Sequence, residues 1–366
     1  MYQEQISEYR QAFNQSKHVM VRHAKRGMKE TLESLAQYVN DEDAPDLYGS
    51  GELIEGFERQ VADLLGKEAA LFLPSGTQAQ PIALRIWADQ AHTPFVAMPA
   101  TSHVQLHEHN AYQVLYNLKG IMLGDEHRVP TLDDLKQAAL DPLAAILLEL
   151  PMREIGGQLP SWETLVEQSN WARSQNIKLH MDGARLWQCP SYYHKSLAEI
   201  SALFDSVYVS FYKDLGGMAG AVLAGDADFI AKAKVWQRRA GGNLYALYPY
   251  VLAAKQGLAK HLDNISRYAF HCHAFAKVLN QTNGVQTWPT QPQTNMFRLR
   301  IETDPERFFE KALQWVQKRQ VAILPPPYRV DNGLLWFELS FGDGCETLSE
   351  AQWNEHWDDF STSVLS

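Results

Sequence analysis

Cysteine is scarce in this chain: Cys189, Cys272 and Cys345 are its only three in 366 residues, far apart and with no Cys-x-x-Cys pair. That spacing argues against a zinc ribbon or a disulfide framework and leaves buried thiols as the expectation. Basic residues are outnumbered, 33 to 43 acidic, for a formal net charge of -10. Without a basic footprint for phosphate backbones, nucleic acid is not an expected partner. No apolar run approaches the length that spans a bilayer, so no membrane contact is expected. The opening residues, MYQEQISEYRQAFNQSKHV, hold no apolar stretch between basic and small flanks, and the cytoplasm is the expected compartment. Internal repeats and low-complexity tracts are also missing. What is present is ordinary globular usage, 45% hydrophobic and 21% charged, in a chain long enough for a large core and a smaller second domain.

Residues 1–45 are polar with a helical pattern and end in the acidic loop NDEDAPDLYGSG, which reads as an N-terminal helical arm. From Glu55, the spacing of Phe57, Val61, Leu64 and Leu65 gives one apolar helical face, followed by the strand AALFLPSG and the helix TQAQPIALRIWAD. Short apolar runs follow at 95–99, 144–150, 177–182, 206–212 and 220–225, most of them separated by segments of helical periodicity. Strands buried on both faces and alternating with helices predict an α/β fold with a mostly parallel central sheet over 46–255, flanked by helices. Function in such sheets gathers at the carboxyl ends of the strands. A helical region from about Tyr248 to Gln281 leads out of the sheet into TNMFRLRI, PERFFEKALQWVQKR, VAILPPP, LLWFELSF and a last helix from about Ser349. Residues 256–366 are therefore expected to be a connecting helix and a smaller C-terminal α+β domain.

Three strand ends carry chemistry. Ser75, Gly76 and Thr77 lie between a strand and a helix, where free backbone N–H groups and the helix dipole suit a phosphate; a plainly capped helix start is the competing reading. In LHMDGARLW, Asp182 closes a strand where a carboxylate needs cationic or hydrogen-bonding partners. Arg185 either pairs with it to hold a turn or shares a functional site with it, and the small Gly183 and Ala184 leave room for a bulky group. Lys213 ends the apolar strand VYVSFY and precedes Gly216, Gly217 and Gly220. It is either a solvated strand-end lysine or a desolvated amine of the kind that forms a Schiff base. An anion cradle, a carboxylate and an isolated lysine at the strand ends of one sheet match the needs of pyridoxal 5'-phosphate: phosphate, ring nitrogen and imine.

The stretches YGSGELIEGFERQVADLLGKEAALFLPSGTQAQPIAL, LHMDGARLW and VSFYKDLGGMAGAVLAG resemble the threonine aldolase and beta-eliminating lyase group of pyridoxal-phosphate enzymes, which has the aspartate-aminotransferase fold, fold type I. The resemblance covers about Tyr48 to Ala254, with a weaker echo at TNMFRLR. It implies that Lys213 forms the imine, Asp182 pairs with the ring nitrogen, Ser75, Gly76 and Thr77 bind the phosphate, and His103 stacks on the ring. It places Arg185 near the ring hydroxyl or the substrate carboxylate, and Arg238 near the active site. Glu108 and Glu149 match acidic positions of the family. A metal site at His103, His107 and His109 is not expected, because no carboxylate or thiolate spacing completes a ligand set.

Three departures stand out. The family's short SDT-like start is replaced by the longer polar arm. Its late carboxylate-gripping arginine falls near Glu338 in LLWFELSFGDG, and the histidine of its ENTH-like segment is absent from ELPMREIGG. Arg153, Arg238, Arg239 or Arg329 is expected to replace the missing arginine. The resemblance implies aldol cleavage of a threonine-like beta-hydroxy alpha-amino acid to glycine and an aldehyde, and His103 is the candidate base for the hydroxyl proton. The competing readings are beta-elimination, transamination or decarboxylation with the same cofactor, or a non-catalytic binder of it. It also implies a homodimer or homotetramer.

Overall fold

The computed structural model describes residues 2–139, 142–331 and 333–365. The chain divides into a larger unit, Met28–Glu154 with Gln158–Asp263, and a smaller one, Met1–Gly27 with Ile155–Gly157 and Asn264–Ser366. The segment expected as one arm is shared between them. Its helix Gln3–Gln15 buries Tyr9, Ala12 and Phe13 in the smaller unit, and its helix Met28–Tyr38 belongs to the larger. The expected boundary at 255 falls inside the helix Tyr248–His261, and the chain changes unit between Asp263 and Asn264.

The larger unit holds a seven-stranded sheet: β1 Ala69–Leu73, β2 Phe95–Pro99, β3 Lys119–Leu123, β4 Ala145–Glu149, β5 Lys178–Gly183, β6 Ser206–Ser210 and β7 Ala221–Gly225. Their order across the sheet is β1-β7-β6-β5-β4-β2-β3. Only β7 opposes its neighbours: it is antiparallel to both β1 and β6, and the other adjacent pairs are parallel. β1 and β6 therefore run the same way, and the carboxyl ends of β1, β2, β4, β5 and β6 share one edge. Every residue of β4, β6 and β7 is buried, as expected for strands covered on both faces. Helix Gly76–Ala91 covers one face with Ala79, Ile82, Ala83, Ile86 and Trp87, and the Trp87 ring stacks on Phe229 at 4.6 Å. A fully buried side chain the size of Ile82 or Ile86 contributes about 1.5–3 kcal/mol. Helix Glu52–Leu65 buries Leu53, Ile54, Phe57, Val61 and Leu65 and stops at Gly66, whose φ of 62° a side chain rarely adopts.

In the smaller unit, β8 Val285–Trp288, β9 Met296–Glu302, β10 Arg329–Asp331 and β11 Leu334–Ser340 form an antiparallel sheet in the order β10-β11-β9-β8. Alternation buries Phe297, Leu299 and Ile301 on β9 and Leu335, Phe337 and Leu339 on β11. Glu338 lies opposite Arg298 in this ladder, and the Arg298 guanidinium sits over the Tyr328 ring at 4.8 Å. The three cysteines are free and buried. Among the described residues, no helix is long and apolar enough to cross a membrane.

Candidate active site

The carboxyl edge of the large sheet brings together the residues singled out by sequence. Glu149 ends β4 directly opposite Asp182 on β5, and Asp182 is in turn opposite Tyr208 on β6. Three residues beyond β6, Lys213 acts electrostatically on Asp182 and Glu149, as does Arg185. From the end of β2, the turn through Thr101 and Ser102 delivers His103, with Nε2 3.9 Å from the Glu108 carboxyl. The Glu108 side chain is wholly buried.

Burial dominates the electrostatics of this group. It lowers the Lys213 amine to about 8; Arg185 lowers it further, and Asp182, Glu149 and Asp214 oppose the shift. The strand-end lysine is thus the desolvated kind. Burial raises Glu108 to about 8, and the Asp182 charge adds to it. Glu149 rises to about 8 for the same two reasons, although its Oε1 accepts the Arg153 backbone N–H at 3.0 Å. Two of the three carboxyls are therefore largely protonated at neutral pH, because three charges cannot share so dry a space. Burial pushes Asp182 upward as well, against the pull of Lys213, the Ala184 N–H at 3.1 Å, Gln80 and Arg185. His103 falls to about 4, through burial first and then the Lys213 charge, so it is a neutral imidazole at neutral pH. Paired groups held uncharged near neutrality can exchange protons with a ligand.

At the end of β1, Ser75 is extended and caps the helix Gly76–Ala91 with no side-chain hydrogen bond. The Ser75 side chain does not bond the first helix N–H groups, an arrangement that suits an anion. Gly76 must be glycine, since a Cβ there would lie 1.8 Å from the Tyr208 hydroxyl. The space at Gly183 differs from expectation: a Cβ there would meet the Tyr208 carbonyl at 2.6 Å, so the glycine makes room for β6, not for a ring. Thr101 Oγ1, Ser102 Oγ and both Glu108 oxygens are buried without a hydrogen-bond partner. A desolvated lysine, an uncapped helix start and orphaned polar atoms along one sheet edge fit a phosphorylated aldehyde cofactor.

The remaining basic side chains separate. Arg185 is half-buried beside Asp182, and half-buried Arg153 bonds Glu154 Oε1 at 3.2 Å and acts on His103. Arg238 is exposed over the Tyr48 ring at 5.6 Å, and Arg239 over Trp236 at 4.8 Å. In the smaller unit, Arg329 is exposed and pairs with Asp331 at 2.5 Å. His107 Nε2 is 3.0 Å from Glu154 Oε1, and His109 is exposed. Sequence reading passed over Gln80, His180 and Ser206, whose only signal is polarity inside otherwise apolar stretches.

A family model described as beta-eliminating lyase matches residues 24–302. The chain is 32% identical to the low specificity L-threonine aldolase of Escherichia coli K12, over 70% of this chain and 77% of that one. It resembles a crystal structure from Listeria monocytogenes described as a candidate L-allo-threonine aldolase: TM-score 0.92, 38% identity, 96% of this chain and 97% of the other. A structure from Exiguobacterium, described as a candidate aromatic amino acid beta-eliminating lyase/threonine aldolase, gives a TM-score of 0.93 at 38% identity, over 97% and 99%.

Proposed function

The chain belongs to the beta-eliminating lyase family, and from that premise we propose that it is a carbon-carbon lyase that uses pyridoxal 5'-phosphate to cleave threonine-like beta-hydroxy alpha-amino acids to glycine and an aldehyde. The observation that carries this reading is Lys213, a half-buried amine lowered to about 8 at the sheet edge that also holds Asp182. When bound, the cofactor supplies an electron sink for the pair released at the substrate's alpha carbon. Lys213 would be the amine that carries it, Asp182 would pair with its ring nitrogen, and Ser75, Gly76 and Thr77 would hold its phosphate at the helix start.

His103, neutral because its pKa is near 4, accepts the proton of the substrate beta-hydroxyl at a ring nitrogen. The protonated Glu108 carboxyl beside it and Glu149 opposite Asp182 hold protons along the same sheet edge. Arg185 and Arg153 are the cations of this unit placed to grip the substrate carboxylate, a contact that also fixes orientation. Exposed Arg238, over Tyr48, plays a peripheral part. The partner molecule is a free amino acid. The subunit assembles as a homodimer or homotetramer, a reading supported by exposed Leu106, Val114 and Leu115. The proposed compartment is the cytoplasm.

The test is an amino-acid panel on protein reconstituted with the cofactor, with aldehyde, glycine, ammonia and 2-oxo acid all quantified. Aldehyde and glycine in equal amounts support cleavage. Ammonia with a 2-oxo acid supports beta-elimination instead.

A further inference from the structure

Behind Asp182, on the same face of the sheet, four buried side chains form a line of hydrogen bonds with no part in binding substrate. Trp87 Nε1 lies 2.8 Å from Ser206 Oγ, Ser206 Oγ lies 2.8 Å from His180 Nδ1, and His180 Nε2 lies 2.8 Å from Gln80 Oε1. The Gln80 amide nitrogen is buried without a hydrogen-bond partner, and the Gln80 side chain acts on Asp182 in the direction that favours its anion. None of the five residues exceeds 2% exposure. The arrangement is built into the fold: His180 and Asp182 are alternate residues of β5, His180 is opposite Ser206 in the β5–β6 register, and Gln80 and Trp87 lie two helical turns apart on the helix above.

An indole N–H can only donate, so Ser206 Oγ accepts from Trp87 and keeps one O–H, which we assign to His180 Nδ1. Burial lowers His180 to about 3, which leaves one proton on the ring, and with Nδ1 accepting, that proton sits on Nε2 and is donated to Gln80 Oε1. Gln80 must then present its NH2 group, not its oxygen, to Asp182. A flipped amide would set oxygen against carboxylate and leave the Ser206 hydroxyl proton without an acceptor in a dry core, a penalty of about 1–3 kcal/mol.

We propose that Trp87, Ser206, His180 and Gln80 are positioning residues that hold the unpartnered Gln80 amide N–H group toward Asp182 and so favour its anion opposite the position proposed for the cofactor's ring nitrogen. This rests on the cofactor reading above. Burial pushes the Asp182 carboxyl toward its neutral form, and Gln80 works with Lys213, Arg185 and the Ala184 N–H against that.

Two measurements test it. In wild-type protein without cofactor, ¹⁵N-edited NMR of labelled histidine, with His180 identified by the signal lost in His180→Gln, is expected to show a neutral ring protonated at Nε2 from about pH 6 to about pH 9. A proton on Nδ1, or a ring that titrates in that range, overturns the proposal without any variant having to fold. In reconstituted Gln80→Leu, the pH midpoint of the visible cofactor band is expected to rise by about one unit, because a weaker Asp182 anion leaves the ring nitrogen less protonated and the imine more basic. Rescue is expected in Gln80→Asn only if its shorter amide reaches both partners, so the midpoint in Gln80→Leu is the deciding value. An unchanged midpoint, with the wild-type band present, overturns the proposal and leaves the cofactor reading intact. A wild type with no band removes both.

Discussion

His103 and Glu108 stand side by side with pKa values displaced in the directions that leave both uncharged, to about 4 and about 8. A base with its pKa lowered is competent above that value, so turnover should fall only as pH drops toward about 4. A carboxyl that must stay protonated fails as pH rises, giving an alkaline limb near 8, where both Glu108 and Glu149 titrate. Replacing each by Gln separates them: the variant that loses the alkaline limb identifies the carboxyl responsible, and a limb kept in both shows that Lys213 or the ligand sets it. His103→Asn should lower kcat by about 100-fold while the visible cofactor band stays, as expected for loss of a general base. Full activity would remove His103 from catalysis. Legibility at this scale was uneven. Lys213 and Asp182 were plain because charge at the end of an apolar strand is unusual. Gln80 and His180 were not, since their meaning comes from a helix and two strands that meet only in the folded chain.

Helix Gly76–Ala91 carries the turn proposed to hold the phosphate, together with Gln80 and Trp87, and so links that proposed cradle to the core. Gly76→Ala should destabilise the protein by about 1–3 kcal/mol, because the new methyl group and the Tyr208 ring cannot both fit. It should also weaken cofactor affinity; thermal melting without cofactor and titration with it measure the two effects, and an unchanged melting point would contradict the packing argument. Helix Glu52–Leu65 holds a different kind of group. Glu58 is buried with Oε1 accepting the Phe72 N–H at 2.8 Å, and burial raises it to about 7. A carboxyl whose folded pKa is raised contributes stability fully below its unfolded value, and that contribution is lost as pH rises through about 7. Glu58→Gln keeps the acceptor without the titration. It should gain on the order of 1–3 kcal/mol relative to wild type between about pH 5 and about pH 8 by denaturant unfolding, and a pH-independent difference would contradict this.

The central strands were readable at this scale because burial on both faces leaves unbroken apolar runs, as in AAILLEL and GAVLAG. β3 was not: KGIML lies at the sheet edge with Lys119 and Met122 exposed, and its mixed pattern matches neither strand template. Glu338 was legible as a departure from the family, but its cross-strand neighbour Arg298 was not, since register in β9 and β11 depends on pairing across more than 30 residues of chain.

At the scale of the molecule, ligand and partner binding should appear as stability. Reconstitution with pyridoxal phosphate should raise the melting temperature of wild type by mass action, and by less in Lys213→Ala. Sedimentation of wild type at micromolar concentration should give a dimer or tetramer; a monomer would contradict the proposed assembly, as would a Val114→Asp, Leu115→Asp variant that sediments unchanged while both positions remain exposed in the subunit. The most direct measurement is product stoichiometry from L-threonine and L-allo-threonine with cofactor-reconstituted protein, run beside Lys213→Ala. Equimolar glycine and acetaldehyde from wild type and none from the variant is the predicted result. Ammonia and 2-oxobutanoate without glycine, or undiminished turnover in Lys213→Ala, would contradict the account.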